Sequence, residues 1–99
     1  MWSVLFHPLV LKEDFKDIAP HDQKTIFKQV IKKLSIDPEA YGKPLSGELY
    51  GYWSLRIEDF RAIYRIYKDR IEVIVIKIGI RRNMKAYEEF LLRLKKLRS

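Results

Sequence analysis

The sequence predicts one α+β domain, an antiparallel sheet with a helical hairpin on one face and a basic cleft on the other, in the order β-α-α-β-β-β-α. Three observations carry that expectation. Residues 52–67, YWSLRIEDFRAIYRIY, alternate apolar and polar side chains about a central turn, as hairpins do. Residues 71–78, IEVIVIKI, are almost continuously β-branched, the pattern of a central strand covered on both faces. The stretches 21–34 and 85–98 repeat apolar residues every three or four positions, as helices with one buried stripe do.

Taken in order, residues 2–6 form a short β-like run ended by His7-Pro8. Residues 9–18 set Leu11, Phe15 and Ile18 at helical spacing before Ala19-Pro20 breaks the segment. The next helix, 21–34, puts Ile26, Phe27, Val30 and Leu34 on one side and Lys24, Lys28 and Lys32 on the other, completing the helical hairpin. Residues 35–51 hold two of the four prolines and three of the four glycines. They read as a loop, too short and too apolar at Leu45 and Leu49 for a domain linker.

A two-residue turn at Glu58-Asp59 sets the hairpin register: Ile57 faces Phe60, Arg56 faces Arg61, Leu55 faces Ala62, Ser54 faces Ile63, Trp53 faces Tyr64 and Tyr52 faces Arg65. Trp53, Leu55, Ile57, Phe60, Ala62, Tyr64 and Ile66 then share one face, expected to pack on Phe15, Ile26, Phe27, Val30 and Leu34. Tyr52, Ser54, Arg56, Arg61 and Arg65 share the other. Lys68-Asp69 marks a tight turn into the central strand, which Gly79 stops. The length of that turn stays open, and with it the face taken by Lys77 and Arg81. The last helix carries Tyr87, Phe90, Leu91, Leu94 and Leu97 as its stripe, with glutamates early and Lys95, Lys96 and Arg98 late, in accord with the helix dipole.

Ninety-nine residues make a single domain over 1–99. Lysine and arginine outnumber aspartate and glutamate by 20 to 13, a formal charge of +7. That balance favours an anionic partner, nucleic acid or an acidic protein, over plain solubility charge. No cysteine is present, which excludes disulfides and thiolate metal sites and fits a reducing cytoplasm. The opening MWSVLFHPLVLKEDF lacks the basic n-region of a signal peptide, and no apolar run approaches the roughly 18 residues of a membrane span. His7 and His21, the only histidines, belong to no cluster at ligand spacing, so neither a metal nor another cofactor is expected. Ser46 and Ser54 have no partnered histidine, which removes hydrolase triads.

The remaining chemistry is basic and phenolic. Like charges directly opposite destabilise a sheet by up to about 1 kcal/mol. Arg56 and Arg61 therefore either fan into water or share an external anion such as a nucleic-acid phosphate. Residues 79–87, GIRRNMKAY, bring Arg81, Arg82, Lys85 and Tyr87 out of one turn region. Each has a plain alternative, a solvated strand exit for the arginines and a half-buried anchor for the tyrosine. Together with Arg56 and Arg61 they suggest a cationic cup beside a phenol. Guanidinium groups would hold a scissile phosphate and neutralise a pentacovalent transition state, and the phenol would accept the proton of a ribose 2′-hydroxyl.

The stretch GKPLSGELYGYWSLRIEDFRAIYRIY, followed by an apolar strand and IGIRRNMKAY, resembles the RelE/ParE superfamily of toxins from type II toxin–antitoxin systems over almost the whole chain. The resemblance implies the small RelE/ParE-like fold and, for the RelE type, ribosome-dependent mRNA endoribonuclease activity without metal, inhibiting translation through 2′-hydroxyl attack in the ribosomal A site. It carries a phosphate-binding role onto Arg61, a transition-state role onto Arg81 and a catalytic role onto Tyr87. Arg56 matches a basic position of the same cleft, and Lys43, Arg65, Arg82 and Lys85 complete the expected RNA-binding set. Two departures stand out. Tyr52 and Ser54 replace lysines of the best-studied pattern, and Ile80 replaces a histidine or lysine of many relatives. The general acid stays open among Lys43, Glu48 and Lys85. ParE-type relatives share the fold and poison DNA gyrase, and an inactive binding protein on the same fold is a further alternative. The implied setting is cytoplasmic, with ribosome, mRNA and a cognate acidic, partly disordered antitoxin as partners. That antitoxin would cover the cleft or displace the last helix in a hetero-oligomer.

Overall fold

In the computed structural model, which describes residues 1–98, five strands form one sheet in the order β1-β5-β4-β3-β2. They are β1 (Ser3–Phe6), β2 (Lys43–Pro44), β3 (Trp53–Ile57), β4 (Phe60–Tyr67) and β5 (Glu72–Ile80). The meander from β2 to β5 is antiparallel, whereas β1 lies parallel to β5. The expected antiparallel sheet thus acquires one parallel edge, reached through the long crossover that parallel strands require. Among the described residues three α-helices accompany it: α1 (Pro20–Ile36), α2 (Pro38–Tyr41) and α3 (Lys85–Arg98).

The β3–β4 register has five of the expected pairs, Arg56 opposite Arg61 among them. Glu58 turns the hairpin at φ 50°. The alternation of the sequence therefore becomes an alternation of environments. Leu55, Ile57, Ala62 and Tyr64 are buried with Phe15, Ile26, Val30 and Leu34, and Trp53, Phe60, Ile66 and Phe27 close around them. Leu55→Ala should destabilise the fold by about 2–5 kcal/mol, as for other buried leucines, which denaturant unfolding would measure. Tyr64 is fully buried, and its hydroxyl donates to the Pro38 carbonyl at 2.5 Å. Burial, aided by Asp37 and Glu39, pushes its phenol well above the usual range. A Cβ at Gly42 would collide with that hydroxyl oxygen, so the first glycine of the G-x-P-L-x-G motif makes room for a core tyrosine.

Several elements differ from the sequence pattern. Residues 9–18 are helical, as the order β-α-α-β-β-β-α requires, but most of the segment is wound as a π-helical turn (Val10–Asp14) and a 3-10 turn (Phe15–Asp17). The bond from Phe15 N–H to the Val10 carbonyl widens the coil, so that Val10, Asp14 and Phe15 are all buried while Leu11 is exposed. The loop 35–51 contains α2, β2 and a further 3-10 turn (Gly47–Leu49). The turn after β4 runs to Ile71, which sits at φ 50° rather than in the strand. Gly79 does not stop β5, which continues to Ile80.

A β-bulge between Ile63/Tyr64 and β5 pairs Ile63 with Lys77 but Tyr64 with Val75, leaving Ile76 as the extra residue. Ile76 packs in a second apolar cluster with Ile63, Tyr52, Ala86, Phe90 and Leu94. This cluster seats α3 on the sheet face away from α1. The basic surface expected across that whole face is therefore confined to the part that α3 leaves uncovered. Leu97, placed on the helical stripe by its spacing, is half exposed, and Arg93 is buried.

Candidate nucleic-acid interface

Arg61 and Tyr87 meet across the gap between β4 and α3. The Arg61 Nη1 donates to the Tyr87 hydroxyl at 2.5 Å, and its guanidinium carbon lies 4.8 Å from the centre of the tyrosine ring. The Tyr87 hydroxyl in turn donates to Ser54 Oγ at 3.1 Å. One phenol oxygen is thus held between a cation and a buried serine. Such an arrangement fixes the hydroxyl in place and sets a positive charge beside the phenol oxygen, where it favours the anionic form of that oxygen.

Gly79 explains how α3 reaches this position. It stands opposite Arg61 in the β4–β5 ladder, and a Cβ there would lie 2.8 Å from the Ala86 Cβ. The start of α3 therefore rests directly on the backbone of β5, and Tyr87, next in sequence, is carried over Arg61. Between strand and helix, Asn83 and Met84 both adopt left-handed φ values, 52° and 61°.

The other expected residues divide into two groups. Arg56 is exposed opposite Arg61, and Lys43 is exposed opposite Ser54, so both share the Tyr87 side of the sheet. Arg65, also exposed, stacks 5.6 Å from the Tyr52 ring and 5.4 Å from the Tyr67 ring. Arg81, Arg82 and Lys85 instead line a groove of about 910 Å³ along the outer edge of β5, a groove that Arg61 and Tyr87 do not line. The backbone of Arg81 donates to the Asp59 carbonyl at the hairpin turn. Among the described residues, the buried side-chain nitrogens without a hydrogen-bond partner are Arg61 Nε and Arg81 Nη1. Unpaired buried donors are costly, and guanidinium donors are well suited to phosphate oxygens. No cluster of His, Cys, Asp and Glu able to hold a metal ion occurs among the described residues.

A buried ionic cluster leaves no trace in the sequence pattern. The Asp14 carboxylate, 1% exposed, accepts Lys77 Nζ at 3.0 Å and two bonds from Arg93 at 2.8 and 2.9 Å. It also accepts the backbone N–H of Ile78 at 2.9 Å. Arg93 further donates to the Ile76 carbonyl and to Glu13, and Lys77 reaches Glu89. Burial works against the charge on Arg93, but its bonds to Asp14 and the fields of Asp14 and Glu13 outweigh that and raise its pKa. Asp14 ends the π-helical turn and Arg93 lies deep in the last helix. No spacing rule links residues so far apart in sequence.

Comparison with known proteins places the chain by family and fold. A family profile described as "ParE toxin of type II toxin-antitoxin system, parDE" matches residues 4–84. Toxin YoeB of Mycobacterium bovis and toxin RelK of Mycobacterium tuberculosis are each 40% identical over 80 residues, 75% of this chain and 93% of theirs. Among solved structures, the toxin–antitoxin complex RelBE2 of M. tuberculosis is similar at TM-score 0.76 and 28% identity, over 81% of this chain and 98% of the matched one. The isolated E. coli RelE toxin is similar in fold at TM-score 0.66 and 16% identity, over 95% of this chain and 99% of its own.

Proposed function

Since the chain belongs to the ParE/RelE family of toxins of type II toxin–antitoxin systems, we propose that it is a ribosome-dependent mRNA endoribonuclease. The contact between Arg61 and Tyr87 carries this reading. In its phenolate form Tyr87 would take the proton of a ribose 2′-hydroxyl, whose oxygen bonds to the adjacent phosphorus as the bond to the 5′-oxygen breaks, leaving a 2′,3′-cyclic phosphate and a 5′-hydroxyl that takes its proton from water. Arg61 would hold the phosphate through its guanidinium and stabilise the phenol oxygen through Nη1. Arg81 would supply a second guanidinium by turning its side chain from the groove it lines toward that phosphate. Arg56 and Lys43, on the Tyr87 side, and Arg82 and Lys85, on the far side of β5, would bind flanking phosphates, and Arg65 a more distant one. The partner it would be neutralised by is an acidic antitoxin, a proposal supported by the similar RelBE2 toxin having been solved in a toxin–antitoxin complex.

The matching family profile is that of ParE toxins, which favours inhibition of DNA gyrase as a second reading. The two diverge on the arginines. Under the nuclease reading, Arg61→Ala and Arg81→Ala each abolish growth arrest and mRNA cleavage without unfolding the protein, since both residues lie outside the core. Lysine rescues either poorly, because an ammonium cannot make two parallel bonds to one phosphate. Full toxicity in the double alanine variant would contradict the nuclease reading.

A further inference from the structure

We propose that Asp14 and Arg93 form a latch holding α3 on the sheet and thereby fix Tyr87 against Arg61, which makes both positioning residues. Their link to catalysis rests on the nuclease reading above. Their mechanical role does not.

The argument starts from the edge of β5. Strand β1 ends opposite Val75, where His7 N–H bonds the Val75 carbonyl. Beyond that point no strand among the described residues covers the outer edge of β5, although its backbone groups still need partners. Arg93 takes the Ile76 carbonyl at 2.9 Å and Asp14 takes the Ile78 N–H at 2.9 Å. A carboxylate from the π-helical turn and a guanidinium from α3 thus replace the missing strand at the bulge, and they do so bonded to each other. The same ion pair that closes the sheet edge therefore fastens the helix.

Its location on α3 is what couples it to Tyr87. At about 100° per residue, the buried side of the helix runs from Glu89 and Arg93 on one flank, through Ala86, Phe90 and Leu94, to Tyr87 on the other. Arg93 and Glu89 are held at β5 by Asp14 and Lys77, while Tyr87 is held by Arg61 and Ser54. The central stripe resists lifting, but apolar contacts are non-directional and resist rolling poorly. A roll about the helix axis would swing Tyr87 off Arg61, and the polar bonds on the two flanks oppose it. The left-handed residues Asn83 and Met84 that lead into α3 are no regular extension of β5 that would hold the helix by themselves.

Native-state hydrogen exchange on the full chain tests the latch with Arg93→Lys, which keeps the charge but cannot span both Asp14 oxygens and the Ile76 carbonyl. Amides of Phe90 to Leu94 should lose protection by about tenfold or more while those of Ala62 to Tyr64 keep theirs, the signature of local rather than global opening. Glu89→Gln, which loosens the same flank while Lys77 retains Asp14, should shift the same amides less. In cleavage assays on programmed ribosomes, Arg93→Lys should lower kcat and leave ribosome affinity unchanged. Equal loss of protection in α3 and β4 would reduce Arg93 to a general stabiliser and overturn the proposal, as would an unchanged kcat once α3 has loosened. If the native chain cleaves nothing, the nuclease reading fails alone. The latch is then decided by exchange and by the NMR signal of the Arg61 guanidinium, whose persistence in Arg93→Lys would refute it.

Discussion

Tyr87→Phe is expected to slow mRNA cleavage on ribosomes by about 10² to 10⁴-fold, the usual cost of losing a general base. The substitution keeps the ring over Arg61 and deletes only the oxygen that accepts from Arg61 and donates to Ser54. Its effect on stability should stay near the roughly 1 kcal/mol typical of a hydrogen bond. The loss should appear in kcat, because ribosome affinity would come from the exposed cations and should fall steeply with salt. A variant that cleaves at the native rate would remove the phenol from the chemistry, leaving Tyr87 as a helix anchor.

The largest expected effect on stability comes from Asp14→Ala. It leaves Lys77, Arg93 and the Ile78 N–H without their common, almost fully buried acceptor. Breaking a buried ion pair from one side typically costs about 3–5 kcal/mol, a large share of the roughly 5–15 kcal/mol that holds a domain together. Equilibrium denaturation would show it as a lower midpoint. A loss below about 1 kcal/mol would mean that the cluster contributes little to the fold.

The contrast between these two residues shows where sequence reading succeeds. Arg61 and Arg56 can be placed because a two-residue turn fixes register and alternation fixes the face. One short segment holds all the information, and the β3–β4 pairs follow it. Tyr87 is reached through family resemblance, and its contact with Arg61 depends on Gly79. That glycine reads in the sequence as a strand terminator, yet it serves as a seat for Ala86. Lys77 has no face assignable from the sequence, because the bulge at Ile76 interrupts the period of two. Asp14 and Arg93 carry no signal at all. In a basic chain each looks like one more surface charge, and only the wide π turn that buries Asp14 and the uncovered edge of β5 make them partners.

The most direct test of the account is to incubate the native protein with purified 70S ribosomes carrying a defined mRNA and to map the ends of the message. The account predicts cuts in the A-site codon that depend on the ribosome, leave a 2′,3′-cyclic phosphate and disappear in the Arg61→Ala variant. Intact ribosome-bound mRNA, together with gyrase trapped on cleaved DNA by the same preparation, would contradict it and assign the chain to gyrase inhibition.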